Sequence, residues 1–220
     1  MTGKREFHVI VTIFLVALLV PFIACGQGEP GTSVPSSPTP SQTPASGQEP
    51  DSDMPVLPSG VEITWKADGS IKADEYTKAI TYDDLEIRWD SDGEYAYIAL
   101  RAQTPGWISI AVQPGTTMKD ADMVLGFVKD GQAIVIDQFS TGSFGPHQPD
   151  TELGGSNDIV EFAGIEEDGY TTLEFKRALV TGDSYDHPLS AGENKIIWAY
   201  GSGDEVSLKH SKRGYGMLDL

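Results

Sequence analysis

From Val61 onward the chain alternates between short runs of β-branched or aromatic residues and small polar turns. Residues 85–89 alternate apolar with polar side chains, and the pair Asp92-Gly93 then leads into a second run at 95–100. Alternation with a period of two is typical of strands, and an Asp-Gly pair between two such runs predicts a hairpin. The other runs that predict strands are 107–112, 124–128, 133–139, 159–162, 170–175, 195–200 and 215–218.

The turns and the lack of helical periodicity decide the predicted fold class. Asp130-Gly131 and Asp168-Gly169 each join two of the runs and predict further hairpins. Only residues 74–78 could form a single turn of helix. Many short strands at this spacing predict an all-β domain with the architecture of a β-sandwich over residues 61–220.

The first part of the chain has a different pattern. Lys4 and Arg5 precede an apolar stretch at 9–23, which is shorter than the run of about 20 residues that a spanning helix needs. The stretch ends at Cys25 in a tetrapeptide that resembles the lipobox of bacterial lipoproteins, although Phe22 stands at the position of the usual leucine. The resemblance implies that residues 1–24 are a signal peptide and that Cys25 carries lipid after cleavage. The alternative is an uncleaved N-terminal anchor in which Cys25 is incidental.

Residues 25–60 consist largely of Pro, Ser, Thr, Gly and Gln. Such a composition cannot bury enough apolar surface to offset the loss of chain entropy, so it predicts a disordered linker. About 160 residues remain, which is the size of one domain. The sequence therefore predicts one domain outside the cytoplasm, tethered to the membrane by a lipid anchor.

Charge and cysteine content exclude several functions. The chain has 33 acidic and 15 basic residues and a formal net charge of -18, so it lacks the basic surface that nucleic acid binding needs. Solubility in an exposed compartment or a cationic partner protein would account for the charge. Cys25 is the only cysteine, which excludes disulfides within the chain, cysteine metal sites and covalently attached haem.

Sequence motifs of catalysis are absent. The chain contains neither G-x-S-x-G nor H-E-x-x-H. The pairs Asp83-Asp84 and Glu166-Glu167 lie at strand ends, where neighbours point to opposite faces, and they are interpreted as solvated turn charges. Asp120 and Asp122 could contribute to a cation site, although an isolated D-x-D pair is weak support. We expect no enzymatic activity from this chain alone.

A set of motifs along residues 61–220 resembles the DOMON family when taken in order. The motifs are Asp68-Gly69-Ser70-Ile71 with Glu75-Tyr76, Gly106 to Ala111, Met118 to Val124, a strand ending at Asp137, Pro149-Asp150, Thr171 to Arg177, Ile197 to Gly201, and His210 to Gly214. The resemblance implies an immunoglobulin-like β-sandwich outside the cytoplasm. It also implies binding of haem b or sugars, or a role as an accessory domain of redox enzymes.

In the cytochrome members of the family, a methionine and a histidine hold the haem iron. Met118 and His210 match the two positions, which makes them the predicted axial ligands of a non-covalent haem b. A thioether and an imidazole fill both axial positions, which suits electron transfer. Both would lie in loops at one end of the sandwich, with the flat cofactor between the sheets. A redox partner protein is then expected.

Other interpretations of these residues remain open. Met118 could cover the edge of the core, and His210 could belong to a solvated basic loop with Lys209, Lys212 and Arg213. The same basic loop could instead pair with haem propionates. The remaining expectations are that Met123 and Trp107 lie in the core, that His147 and His187 are turn residues, and that His147 is the fallback ligand.

Two other functions compete with electron transfer through haem. A carbohydrate- or small-ligand-binding module would use exposed aromatic side chains, such as Tyr82, Tyr185 or Tyr215, as its platform. A non-catalytic accessory domain would bind only a partner redox protein. Neither of these functions requires Met118 or His210.

Overall fold

The computed structural model describes residues 64–220, which contain eleven strands and one short helix. The elements are β1 (Lys78–Tyr82), β2 (Leu85–Ser91), β3 (Tyr95–Ala102), β4 (Ile108–Val112), β5 (Asp122–Lys129), β6 (Gln132–Ser140), β7 (His147–Pro149), α1 (Asp150–Leu153), β8 (Ile159–Glu167), β9 (Tyr170–Ala178), β10 (Glu193–Tyr200) and β11 (Lys212–Asp219). The predicted signal peptide, Cys25 and the predicted linker lie outside the described residues. Within 64–220, the structure contains no helix of the length and apolarity needed to span a membrane.

The strands form two sheets. One has five strands in the order β1-β2-β3-β9-β8, and the other has six in the order β11-β10-β4-β5-β6-β7. Every pairing between named strands is antiparallel, as in a β-sandwich. The predicted all-β sandwich is therefore confirmed.

A single apolar core fills the space between the sheets. The five-stranded sheet contributes alternate side chains of β2, β3 and β9, and the six-stranded sheet contributes alternate side chains of β4 and β10 with one residue each from β5, β6 and β11. Leu85, Ile87, Leu100, Ile108 and Phe175 are fully buried there. Burying a side chain of this size stabilises a fold by roughly 1.5–3 kcal/mol, so this core holds the two sheets together.

Two predicted hairpins turn at Asp-Gly pairs. Asp130 and Gly131 have φ angles of 52° and 74°, and Asp168 and Gly169 have 52° and 79°. Positive φ at both central residues gives a two-residue turn whose twist matches that of the strands, and Asp and Gly adopt it readily. The pairs therefore fix the register of β5 with β6 and of β8 with β9.

The predicted helical turn at 74–78 is wrong. The chain turns there without a helix, and Lys78 already begins β1. The carboxylate of Glu75 accepts a hydrogen bond from the Lys72 backbone at 2.9 Å, and Asp90 accepts one from the Thr77 backbone at 3.2 Å. These side-chain contacts compete with a helix that would be too short to repay its nucleation.

β4 and the first seven residues of β5 are buried on both faces. Inward-facing side chains of these strands belong to the core between the sheets. Their outward-facing side chains need a second cover, and the loops after β4, β6 and β10 supply it. The space under these loops is the candidate site.

Candidate functional site

The site is a cleft on the outer face of the six-stranded sheet. Its walls are Trp107, Ser109, Ala111, Thr117, Met118, Met123, Leu125, His147, Ile197, Trp198, Ala199, His210, Arg213, Gly214 and Tyr215. The cleft opens to solvent, and its walls are mainly apolar with a few polar side chains, which is the composition of small-molecule sites.

Two apolar clusters under the cleft are separate from the core between the sheets. Trp107, Leu125 and Phe127 form one with Ile136, Ala199 and Val206, and Ala111, Ala121 and Met123 form the other with Ile197. All these residues belong to the six-stranded sheet or its loops. The expectation that a cofactor would lie between the sheets is therefore wrong, because that space is filled by the main core.

Met118 lies in the loop that follows β4. The backbone N–H of Met118 donates to the carbonyl of Ser143 at 3.4 Å, and its own carbonyl accepts from Ala121 at 3.1 Å. In a second hydrogen bond, the backbone N–H of Asp120 donates to the carbonyl of Ser140 at 2.8 Å. These bonds tie the Met118 loop to the end of β6 and hold the thioether side of the loop against the cleft.

His210 lies in the loop before β11. It lines the same cleft as Met118, although the two residues are far apart in the sequence. The loop is anchored by the Ser211 N–H, which donates to the carbonyl of Tyr200 at 2.8 Å. Burial lowers the pKa of His210, and the nearby charge of Arg213 lowers it further. A lowered pKa keeps the imidazole neutral at neutral pH, which is the form that binds metal ions.

His147 and Met123 also line the cleft. His147 lies in β7, and its Nδ1 is buried without a hydrogen-bond partner among residues 64–220. Burial lowers the pKa of His147 too. Met123 is buried as expected, but it faces the cleft cluster and not the core between the sheets. The sequence analysis interpreted His147 as a turn residue, because a strand of only three residues is too short to show alternation of apolar and polar side chains.

His187 has a structural role. Its Nε2 lies 2.7 Å from the carbonyl oxygen of Asp120, so this ring is already engaged next to the Met118 loop. His187 does not line the cleft. The contact fits the expectation that His187 is a turn residue.

Two tryptophans pack where glycines allow close approach, Trp107 beneath the cleft and Trp198 in the core between the sheets. A Cβ at Gly201 would lie 2.3 Å from the Trp107 ring, and a Cβ at Gly214 would lie 2.4 Å from the Trp198 ring. Any side chain at either glycine would displace its indole. Trp107 is 5% exposed, which agrees with its predicted core position, but the cluster it joins is the one beneath the cleft.

The residues of the cleft fit a haem group. A soft thioether and a neutral imidazole are a donor pair that haem iron accepts. The walls are mainly apolar and aromatic, as a macrocycle requires. The guanidinium of Arg213 also lines the cleft, where it would pair with a carboxylate of the haem. The Nδ1 of His147, which has no hydrogen-bond partner among residues 64–220, is a further polar atom buried at the cleft walls.

The aromatic side chains predicted for a sugar platform do not form one. The hydroxyl of Tyr82 accepts from the Met217 N–H at 3.0 Å, and its ring stacks on Trp198 with centroids 6.1 Å apart. The hydroxyl of Tyr185 donates to the carbonyl of Leu153 at 2.8 Å. Tyr215 is 66% exposed and lies at the cleft.

Comparison with known proteins gives matches at three levels. The family model of the DOMON domain matches residues 81–201. Mouse DBH-like monooxygenase protein 1 is 28% identical over 118 residues, covering 54% of this chain and 18% of that protein. Mouse DBH-like monooxygenase protein 2 is 30% identical over 131 residues, covering 57% of this chain and 20% of that protein. The chain thus spans about a fifth of the length of these relatives.

Among solved structures, the cytochrome domain of Myriococcum thermophilum cellobiose dehydrogenase is similar to this chain with a TM-score of 0.46. The sequences are 14% identical, and the match covers 64% of this chain and 79% of that one. A structural similarity with so low a TM-score and sequence identity supports no conclusion about function.

Proposed function

Because the chain belongs to the DOMON family, we propose that its cleft binds one haem b non-covalently for electron transfer, with Met118 and His210 as axial ligands. One observation carries the proposal. Two residues that lie far apart in the sequence, one a thioether and one an imidazole, line the same apolar cleft. The geometry supports this function better than the other two because it brings together the donors that only haem binding requires.

Different side chains of the cleft would contact different parts of the haem. Met118 and His210 would hold the iron, and the group would supply one-electron transfer when bound. The apolar clusters around Leu125 and Met123 would exclude water from it. Arg213 would pair with a propionate at the cleft mouth.

Membership of the DOMON family supports a position outside the cytoplasm. In our proposal a lipid on Cys25 anchors the chain to the membrane, and a separate redox protein exchanges electrons with it. The chain itself performs no catalysis. The monooxygenase activity in the names of the relatives belongs to proteins about three times as long, and this chain matches only about a fifth of them.

A visible spectrum tests the haem proposal directly. Full-length protein from haem-replete cells should show the sharp reduced bands of a low-spin b-type haem. The group should extract into acid-acetone, because Cys25 is the only cysteine and offers no covalent attachment through a C-x-x-C-H motif. A protein that stays colourless after reconstitution with haem would contradict the proposal, and glycan binding would then be screened.

The lipid anchor has its own test. Mature protein should begin at Cys25, carry the mass of attached acyl chains and partition into detergent, because several acyl chains give a stable anchor. A Cys25→Ala chain should keep residues 1–24 and lose the acyl mass. An intact mass of the parent chain that still includes residues 1–24 would refute the prediction.

A further inference from the structure

Three buried aspartates meet between the sheets, on the opposite face of β5 and β6 from the cleft. Asp122 begins β5, Asp137 lies in β6, and Asp186 lies in the loop before β10. Each offers a carboxylate oxygen, and these oxygens lie within 4.8 Å of one another. Asp122 and Asp137 are 1% and 2% exposed, and the side chain of Asp186 is 2% exposed.

A fourth aspartate, Asp150, gives independent support for a charged site at this cluster. Gln138 pairs with Pro149 in the ladder of β6 and β7, which places Asp150 next to Asp137. Asp150 is 1% exposed, and neither of its carboxylate oxygens has a hydrogen-bond partner within the described part of the chain. A buried carboxylate without any donor is costly, so it needs a proton or a cation.

Among the residues that the structure describes, the side-chain cation at the cluster is Arg177. Arg177 is 3% exposed, and its Nη1 donates to Asp122 Oδ2 at 2.8 Å, while its Nη2 lies 3.6 Å from Asp186 Oδ2. The His187 N–H also donates to Asp122 Oδ2, at 2.9 Å. A single guanidinium cannot balance four ionised carboxylates.

Six carboxylate oxygens of the four aspartates remain without a hydrogen-bond partner in residues 64–220. They are Asp122 Oδ1, Asp137 Oδ1, and both oxygens of Asp150 and Asp186. These buried acceptor oxygens lie beside one guanidinium, that of Arg177, in the described part of the chain, so the cluster lacks positive charge.

The geometry points to a bound divalent cation, Ca²⁺, held by Asp122, Asp137 and Asp186, with the buried carboxylate of Asp150 beside them. An all-oxygen, carboxylate-rich set is the donor set of a hard cation, and Ca²⁺ accepts irregular arrangements of six to eight oxygens. Mg²⁺ demands near-ideal octahedral geometry and retains water, which suits it less to a dry cluster. A divalent ion would leave Arg177 in place and offset most of the remaining charge.

Such an ion would fasten the strands and loops that form the cleft. Asp122 lies next to Met123 and four residues after Met118, and Asp150 follows β7, which carries His147. The ion would join the start of β5 to the end of β7 on the face of the sheet opposite the cleft. The inference does not depend on haem, because its ligands face the space between the sheets.

The test uses the full-length chain, stripped with chelator and titrated with CaCl₂ by calorimetry and by thermal unfolding. We expect one Ca²⁺ per chain and an unfolding temperature that rises with Ca²⁺ concentration, since an ion that binds only the folded state stabilises it. Mg²⁺ at equal concentration should produce a smaller rise. A folded chain that neither binds Ca²⁺ nor gains stability at millimolar concentration would overturn the inference.

A pair of variants separates a site from a general charge effect. Asp150→Asn removes a buried negative charge beside the three ligands, and its oxygens have no hydrogen-bond donor to lose among residues 64–220, so the chain should fold without Ca²⁺ and bind the ion at least tenfold more weakly. Asp120→Asn is the control, because the Asp120 side chain is 53% exposed and lies two residues from Asp122. Equal Ca²⁺ affinity in the two variants would exclude the proposed site.

Discussion

Purified His210→Ala protein should be colourless, or carry only a weak high-spin haem, under conditions in which the parent chain is fully loaded. The substitution removes the imidazole, which is the stronger of the two proposed axial ligands, and leaves a thioether that cannot hold the group alone. His210 is half-buried in a loop, so the fold should survive the change. The measurement is haem content per chain, with far-ultraviolet circular dichroism as the check on folding.

Two further variants assign the ligands individually. Met118→Ala should keep haem but lower its potential and allow carbon monoxide to bind, because the sixth position opens. His147→Ala removes the other histidine of the cleft and should leave the low-spin spectrum in place. If His147→Ala loses the haem and His210→Ala keeps it, the axial histidine is His147 and our assignment is wrong.

Arg177→Met should destabilise the fold by about 3–5 kcal/mol, because removing one partner of a buried ion pair leaves carboxylates uncompensated. Arg177 is 3% exposed, and the side chain of its partner Asp122 is fully buried. Methionine keeps much of the apolar stem, so lost packing contributes little. The measurement is the midpoint of urea unfolding in the presence of chelator, so that no cation replaces the guanidinium.

Lys176→Met is the matched control, one residue earlier on β9. The Lys176 ammonium lies 4.0 Å from the centre of the Tyr95 ring, and such a contact at a partly exposed site contributes about 0.5–1 kcal/mol. The control should therefore shift the midpoint only slightly. Equal shifts in the two variants would show that the buried guanidinium does not stabilise the aspartate cluster.

The strands and hairpins could be predicted because their signals are local. Alternating side chains and Asp-Gly turns operate over a few residues, and the turns at Asp130 and Asp168 form as expected. The two residues predicted as ligands came from the resemblance to the cytochrome members of the DOMON family, and the fold places Met118 and His210 at one cleft. Whether they hold haem stays a prediction.

The position of the cleft could not be predicted, because it depends on which face of β4 and β5 the loops cover. A strand that is buried on both faces shows no alternation, so its sequence does not indicate two different environments. Of the aspartate cluster, the sequence analysis named only Asp122 as a candidate cation ligand, and it paired Asp122 with Asp120, which is not in the cluster. Asp137 interrupts an apolar strand, which was a usable signal, but Asp150 and Asp186 join it only through long-range pairing.

β5 carries the cleft on one face and the aspartate cluster on the other, with Met123 and Asp122 as neighbours. A shift of one residue in a strand exchanges its two faces completely. A single insertion or deletion within β5 would therefore turn a carboxylate into the apolar cleft and a methionine into the charged cluster at once. Length changes in the chain's evolution should accordingly be confined to the loops, while β5 changes only by substitution.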